Sequence, residues 1–184
     1  SPSRGFEPHL SIDYSSGSGN GIFGIGFNLA IPNISRKTAK AIPRYDDTDT
    51  FLISDADDLV LKLKHTSIED NGKSEWEEEP AENRTDDKID YTIFQFRPRN
   101  EGLFARIEKW VPKKCGATHW RVTSKDNVTS IYGKDPKCRI ADPDDKTNTH
   151  IAQWLLERSY DAHGNQIVYT YQEDGANKHI SSIK

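Results

Sequence analysis

The stretch IGFNLAIP, residues 25–32, shows the pattern that decides the fold. Its apolar side chains fall on every second residue, the period of a β-strand with one buried face. Pro32 ends the strand, because proline has no N–H to donate to a sheet ladder. Similar alternation occurs before this stretch, in residues 10–14, and after it, in residues 59–63. The pattern therefore predicts strands on both sides.

Turn residues divide the rest of the chain into hairpins. Residues 98–102 (PRNEG, ending at Gly102), 125–127 (KDN) and 162–165 (AHGN) each separate two alternating runs. Residues 151–160 fit helical spacing as well as strand spacing, and the hairpin that follows favours a strand. We predict an all-β domain over residues 1–184, an antiparallel meander or sandwich of about ten short strands with at most one short helix.

Composition excludes some classes of protein. Lys and Arg number 25 against 29 Asp and Glu, a balance that argues against a nucleic-acid binder. No apolar run approaches the roughly 18 residues of a membrane-spanning helix. The chain has no methionine, and its hydrophobic share of 34% is small for a self-sufficient core. We therefore expect a piece of a longer protein.

Residues 66–90 differ from the rest, because they hold ten acidic and three basic side chains. We interpret this segment as a long solvated loop.

A glycine-rich stretch follows the first predicted strand. Residues 19–24 (GNGIFG) match the G-x-G-x-x-G pattern of dinucleotide sites, but such a site needs a helix to begin there, and a strand pattern follows instead. We predict tight turns that need the conformational freedom of glycine. The residues concerned are Gly17, Gly19, Asn20, Gly21, Gly24 and Gly26.

Other motifs favour structural roles. The Glu75-Trp76-Glu77 motif of ADP-ribosylating enzymes lies here in the acidic segment, without their Ser-Thr-Ser strand. Cys115 and Cys138 could form one disulfide, although free thiols are favoured, and Cys115 with His119 lacks the orienting third group of a nucleophilic site. The carboxylate clusters at residues 46–49, 55–58 and 142–145 are typical of Asx turns. The four tryptophans could stack on a sugar, and core packing is favoured. We predict no catalytic residue, cofactor or metal.

Several motifs in order carry a family resemblance. They are residues 14–21 (YSSGSGNG), 24–27 (GIGF), 34–38 (ISRKT), 46–51 (DDTDTF), 57–60 (DDLV), 97–107 (RPRNEGLFARI) and 119–127 (HWRVTSKDN). This string resembles the SpvB-type domain of bacterial insecticidal toxin complexes and of a secreted ADP-ribosylating toxin. Phe27-Asn28 departs from the Trp-Ser often found there, and the acidic segment resembles a variable insertion. Tyr160, Asp161, Gly164 and Asn165 are similar to the Tyr-Asp-x-x-Gly-Asn core of Rhs/YD repeats, so residues 151–184 resemble YD hairpins.

The resemblance implies a non-enzymatic segment of a toxin component, which helps to form a wound β-sheet shell around a cytotoxic effector. Implied partners are other segments of that component, the C-type component with its effector cargo and, indirectly, the A-type translocation channel. Secretion after assembly in the bacterial cytoplasm would follow. The alternatives are an N-terminal delivery or binding module of an ADP-ribosylating toxin and a glycan-binding β-sandwich.

Overall fold

The fold consists almost entirely of strands. The structure, a computed structural model, describes residues 6–8, 10–14, 16, 20–21, 23–38, 42–46, 48–54, 57–67, 74–100, 105–145, 147, 149–175 and 177–184, with the backbone alone at 20–21, 64–67 and 74–77. Eighteen strands occur in this part of the chain, and its only helical element is a 3-10 turn at Pro136–Cys138. No helix in the described ranges has the length and hydropathy that crossing a membrane requires.

The strands follow in chain order. They are β1 (Ser11–Tyr14), β2 (Asn20–Gly21), β3 (Gly24–Ile25), β4 (Phe27–Ala30), β5 (Asn33–Arg36), β6 (Phe51–Ile53), β7 (Asp57–Leu61), β8 (Leu63–Ser67), β9 (Ser74–Glu78), β10 (Glu82–Asp86), β11 (Ile89–Pro98), β12 (Ala105–Pro112), β13 (His119–Ser124), β14 (Thr129–Tyr132), β15 (Arg139–Ala141), β16 (Ile151–Tyr160), β17 (Gln166–Asp174) and β18 (Asn177–Ile183).

Eight of these strands close into an antiparallel barrel, in the order β14-β13-β12-β11-β7-β6-β5-β16. The ring closes because β16 is ten residues long and pairs with β5 near its start and with β14 near its end. Trp154 faces Ile34 of β5, and Leu156 faces Tyr132 of β14. The all-β antiparallel prediction is confirmed, and the form is a closed barrel with extra strands.

Aromatic side chains fill the centre of the barrel. Phe51 packs edge-on against Phe96, Trp120 and Trp154, with ring centroids 4.9–5.9 Å apart. Trp120 is fully buried and Trp154 is 1% exposed. Aromatic rings bury much apolar area per residue, so a small number of them can fill a small barrel.

Residues 66–90 hold more structure than a loop. Strand β8 pairs with β9 as a separate hairpin, and β10 pairs with the first half of β11, so the prediction of a long loop is wrong for these strands. Ion pairs offset part of the acidic charge. Asp86 binds Lys134 at 2.8 Å and also Arg121, which belongs to β13.

The predicted hairpins at the C-terminal end are confirmed. Strands β13 and β14 join through residues 125–128, and β16 is a strand rather than a helix. It continues through the 162–165 turn into β17. Strand β18 pairs with β17 and is the last strand of the sheet order.

Candidate functional site

The Tyr-Asp-x-x-Gly-Asn motif forms the turn between β16 and β17. The Asp161 carboxylate accepts hydrogen bonds from the backbone N–H of His163 and of Asn165, both at 2.9 Å, and from the Asn165 side-chain amide at 2.8 Å. The Asn165 side chain first, and then these backbone donors, hold the pKa of Asp161 below its ordinary value. The aspartate and asparagine of the motif therefore close the turn together.

Gly164 gives this turn its backbone shape. Its φ is +87°, in the left-handed region that favours glycine. A Cβ atom placed there would meet no atom within 4 Å, so the backbone conformation and not crowding requires glycine. Tyr160 is the last residue of β16 and pairs with Gln166 and Thr129.

The described residues of the glycine-rich segment form a short hairpin and no helix. Asn20 and Gly21 of β2 pair with β3, and Gly24 and Gly26 have φ values of +100° and +82°. Strand β4 follows directly, as the alternating pattern predicts. A dinucleotide site would need a helix at this point. Gly17, Gly19 and Gly102 lie outside the described residues.

His119 is part of a buried cluster on the outer face of the barrel. Its ring packs 5.2 Å from the Tyr91 ring and 5.5 Å from the Trp110 ring, and its Nε2 accepts a hydrogen bond from Arg121 at 3.3 Å. Burial first, and then the positive charge of Arg121, lower the pKa of His119 from 6.5 to about 3. A histidine that is 1% exposed and so weakly basic is suited to packing and not to general-base catalysis near neutral pH.

The two cysteines are free thiols, Cys115 exposed and Cys138 buried. Burial raises the pKa of the Cys138 thiol to about 12, so almost none of it is thiolate at neutral pH. Because the thiolate is the reactive form, Cys138 is a weak nucleophile.

Two of the carboxylate clusters close loops. Asp46 accepts the backbone N–H of Thr48 at 2.8 Å, and Asp145 accepts those of Thr149 and His150 at 2.7 Å each. Hydrogen bonds from Thr147, then from His150, hold the pKa of Asp145 well below its ordinary range. This confirms Asx-type turns at 46–49 and 142–145, whereas 55–56 lie outside the described ranges. No group of three or more His, Cys, Asp or Glu side chains comes together as metal ligands in the described part of the chain.

The tryptophans with described side chains are core residues. Trp110 is 4% exposed, and Trp120 and Trp154 are less exposed still. This confirms core packing and removes the support that these three residues gave to a glycan site.

Sequence reasoning missed the buried charges. Arg36 is 8% exposed, pairs with Asp49 at 2.7 Å and places its guanidinium 5.1 Å from the Phe51 ring centre. Glu108 is 2% exposed and accepts the Trp110 indole N–H at 3.0 Å. The alternating pattern puts Arg36 on the same face as Ile34, which is the signal that could have marked it as buried.

Comparison with known proteins places this barrel among bacterial toxins and effectors. The family described as "Salmonella virulence plasmid 65kDa B protein", SpvB, matches residues 1–183. The mono(ADP-ribosyl)transferase SpvB of Salmonella typhimurium is 36% identical over 178 residues, which are 96% of this chain and 29% of that protein. The chain thus spans less than a third of the length of this relative.

Solved structures give the same result. The N-terminal domain of the effector SpvB from Salmonella typhimurium matches with a TM-score of 0.80 and 31% identity, over all of this chain and 60% of that one. The Photorhabdus luminescens Tc holotoxin pore matches with a TM-score of 0.79, and a TcdB2-TccC3-Cdc42 structure with 0.76. In both, the identity is 31% and the match covers 96% of this chain and 8% of the other.

These matches define the class, a β-domain shared by the N-terminal part of a bacterial effector and by toxin-complex chains. The chain belongs to the SpvB family. It corresponds to the N-terminal domain and not to the ADP-ribosyltransferase domain of the Salmonella protein, which confirms the prediction that it is not an enzyme.

Proposed function

We propose that the domain is a structural segment of a secreted bacterial toxin component, and that it helps to build a β-sheet shell around a cytotoxic effector. The observation that carries this proposal is the match to toxin-complex chains over 96% of this domain and only 8% of theirs. In such chains the matched region is one small part of a much longer polypeptide.

The end of the sheet supports the same role. Strand β18 pairs on one side with β17 and ends the sheet order of the described chain. An edge strand presents backbone groups that a further strand can pair with, which is a liability unless the edge is covered. A larger shell supplies that cover.

The proposed partners follow from this role. They are the other segments of the same component, the C-type component with its effector cargo and, indirectly, the A-type translocation channel. We further propose that the shell assembles in the bacterial cytoplasm before secretion.

Effector packaging tests the proposal. The complete toxin component is co-expressed with its C-type partner, and protection of the effector from protease is measured. Gly164→Val should lower the yield of protected effector, because a β-branched residue is strained at φ +87°. Ala162→Val, in the same exposed turn but at a position without positive φ, is the matched control. Normal packaging by Gly164→Val, or an unprotected effector in the wild type, would contradict the proposal.

A second candidate is an N-terminal delivery or binding module of an ADP-ribosylating toxin. The 36% identity to the Salmonella transferase, over 96% of this chain, favours it. Incubating the complete polypeptide with labelled NAD and a host-cell lysate distinguishes the two. Transfer of label to a lysate protein supports the second candidate, and packaging without transfer supports the first.

A further inference from the structure

The pair of strands β1 and β4 forms a ribbon outside the barrel, and its two faces differ in polarity. Ile12 lies opposite Leu29, and Tyr14 opposite Phe27, so these four apolar side chains share one face. The other face carries Ser11, Asp13, Asn28 and Ala30. We call the first the apolar ribbon face.

This face is open to solvent in the isolated domain. Ile12 is 55% exposed, Tyr14 is 65% and Phe27 is 43%. Leu10, two residues before Ile12, is 49% exposed. Aromatic and aliphatic side chains that stand together on a surface mark a contact site. A two-stranded ribbon is also marginally stable by itself, so covering this face has a structural benefit.

The apolar ribbon face continues into a groove beside the sheet edge. Leu29 lines a groove of about 290 Å³ together with Ile31 at the end of the ribbon. Residues 177–180 of β18 form another wall of this groove, and Leu155 and Tyr171 also line it. The ribbon and the last strand of the sheet therefore border the same groove, and a segment that extends the sheet from β18 can reach both.

The chemistry of the face defines its occupant. Its described side chains are uncharged, and such a face suits the apolar face of another sheet, packed about 10 Å away. A covering segment in the same polypeptide loses less freedom on docking than a separate partner does. In the toxin-complex structures this domain is 8% of the matched chain, so such polypeptides have ample further structure to supply it.

We propose that the apolar ribbon face is an internal docking site, covered by the apolar face of a β-segment from elsewhere in the same toxin polypeptide. This inference rests on the proposed function, because it requires the larger component. It adds to that function a defined contact between this domain and the rest of the component. The ribbon docks through one face, while its polar face stays in solvent.

Thiol labelling in the complete toxin component tests whether the apolar ribbon face is covered. Ile12→Cys and Asp13→Cys, each in a Cys115→Ser background that removes the exposed native thiol, place probes on opposite faces of one strand. Modification by N-ethylmaleimide is followed by peptide mass spectrometry. We expect the Ile12→Cys thiol to react about tenfold more slowly than the Asp13→Cys thiol, since a covered thiol reacts only after local opening. In urea the two rates should become equal.

A second pair of probes guards against a disrupted fold. Tyr14→Cys should behave as Ile12→Cys does, and Ser11→Cys should behave as Asp13→Cys does. Equal fast labelling of both faces in the folded component overturns the inference. So does protection that disappears on dilution, which identifies a second copy, or protection that appears only after the C-type partner is added.

The labelling result can be distinguished from the result for the proposed function. Effector protection is measured in the same preparation. Slow Ile12→Cys labelling without a packaged effector supports the internal docking site and contradicts the shell role. A packaged effector with fast Ile12→Cys labelling supports the shell role and overturns the internal docking site.

Discussion

The barrel and the ribbon use apolar residues in opposite ways. In the barrel, Phe51, Trp120 and Trp154 bury one another, and each is at most 2% exposed. In the ribbon, Ile12 and Tyr14 sit on a regular strand and are more than half exposed. Both regions show the same alternation in sequence. The difference is whether the chain itself supplies the opposite surface.

This contrast teaches that alternation in a strand predicts which side chains form its apolar face. It does not predict which part of the protein buries that face. The barrel strands find their cover across the lumen, because the ring closes on itself. Among the described strands, the two ribbon strands pair only with each other. Substitutions should therefore be costly in the barrel and cheap in the ribbon, as long as the domain is studied alone.

The largest effect should come from Trp120→Ala. Removing a fully buried tryptophan leaves a cavity among Phe51, Phe96 and Trp154, and such changes cost about 3–5 kcal/mol. Urea denaturation of the 184-residue chain measures the free energy of unfolding. Trp120→Phe, which keeps a ring and removes a buried Nε1 without a hydrogen-bond partner in the described structure, should cost clearly less. Small losses for both variants would show that the aromatic centre does not carry the stability.

Gly133→Ala should be the next most damaging change. The new Cβ would lie 2.5 Å from Cδ1 of Trp154, and φ is +66°. The clash and the left-handed backbone together should cost about 2–4 kcal/mol in the free energy of unfolding. Gly175→Ala is the matched control, because φ is +59° there with no atom within 4 Å of the Cβ. A control that loses as much as Gly133→Ala would assign the whole effect to the backbone.

The His119 cluster predicts a pH dependence of intermediate size. The pKa of His119 is about 3 in the folded chain, whereas a free histidine side chain has a pKa of 6.5. The unfolded chain therefore binds the proton first, so stability present above the unfolded pKa is lost as the pH falls toward the folded pKa. We expect a loss of about 2 kcal/mol between about pH 7 and pH 5.

His119→Gln should remove this part of the slope. The control is His163→Gln in the exposed 162–165 turn, which should leave the slope as it is. Denaturation at the two pH values measures both variants. A slope that survives in His119→Gln would show that His119 is not its origin. Carboxylates such as Asp86, whose pKa hydrogen bonds from Lys134 and Arg121 hold below the ordinary range, lose their stabilising contribution only below about pH 5.

The smallest effect should be that of Ile12→Ser in the 184-residue chain. The side chain is more than half exposed, so we expect less than about 0.5 kcal/mol. Thermal unfolding by circular dichroism is sufficient to measure it. A loss comparable to that of Trp120→Ala would mean that the ribbon is already covered within this chain, and the contrast between the two regions would fail.

The features that sequence predicts here are local ones. Residues 125–127 and 162–165 predict hairpins because turn chemistry acts over a few residues, and Asp161 with Asn165 closes its turn with its own side chains. Barrel closure is not local. It depends on β16 pairing with β5 and β14, and no alternation pattern specifies which distant strand becomes a neighbour.

The pairing and burial of charged residues also could not be predicted from the sequence. The acidic composition of residues 66–90 indicates solvent, yet β10 pairs with β11 because Arg84 and Asp86 find partners on the barrel's outer face. The burial of Arg36 likewise depends on Asp49 and on rings contributed by other strands. Such compensation arises only in three dimensions, so composition alone predicts exposure.

Strand β16 also determines when the domain can be completed during translation. Strands β5 and β14 both wait for it, and it is encoded after each of them. At about 5–20 residues per second, a ribosome exposes the unfinished sheet for seconds before residue 160 emerges. During that interval both waiting edges can pair with other growing chains, so production of this domain should depend on chaperones that shield open strands.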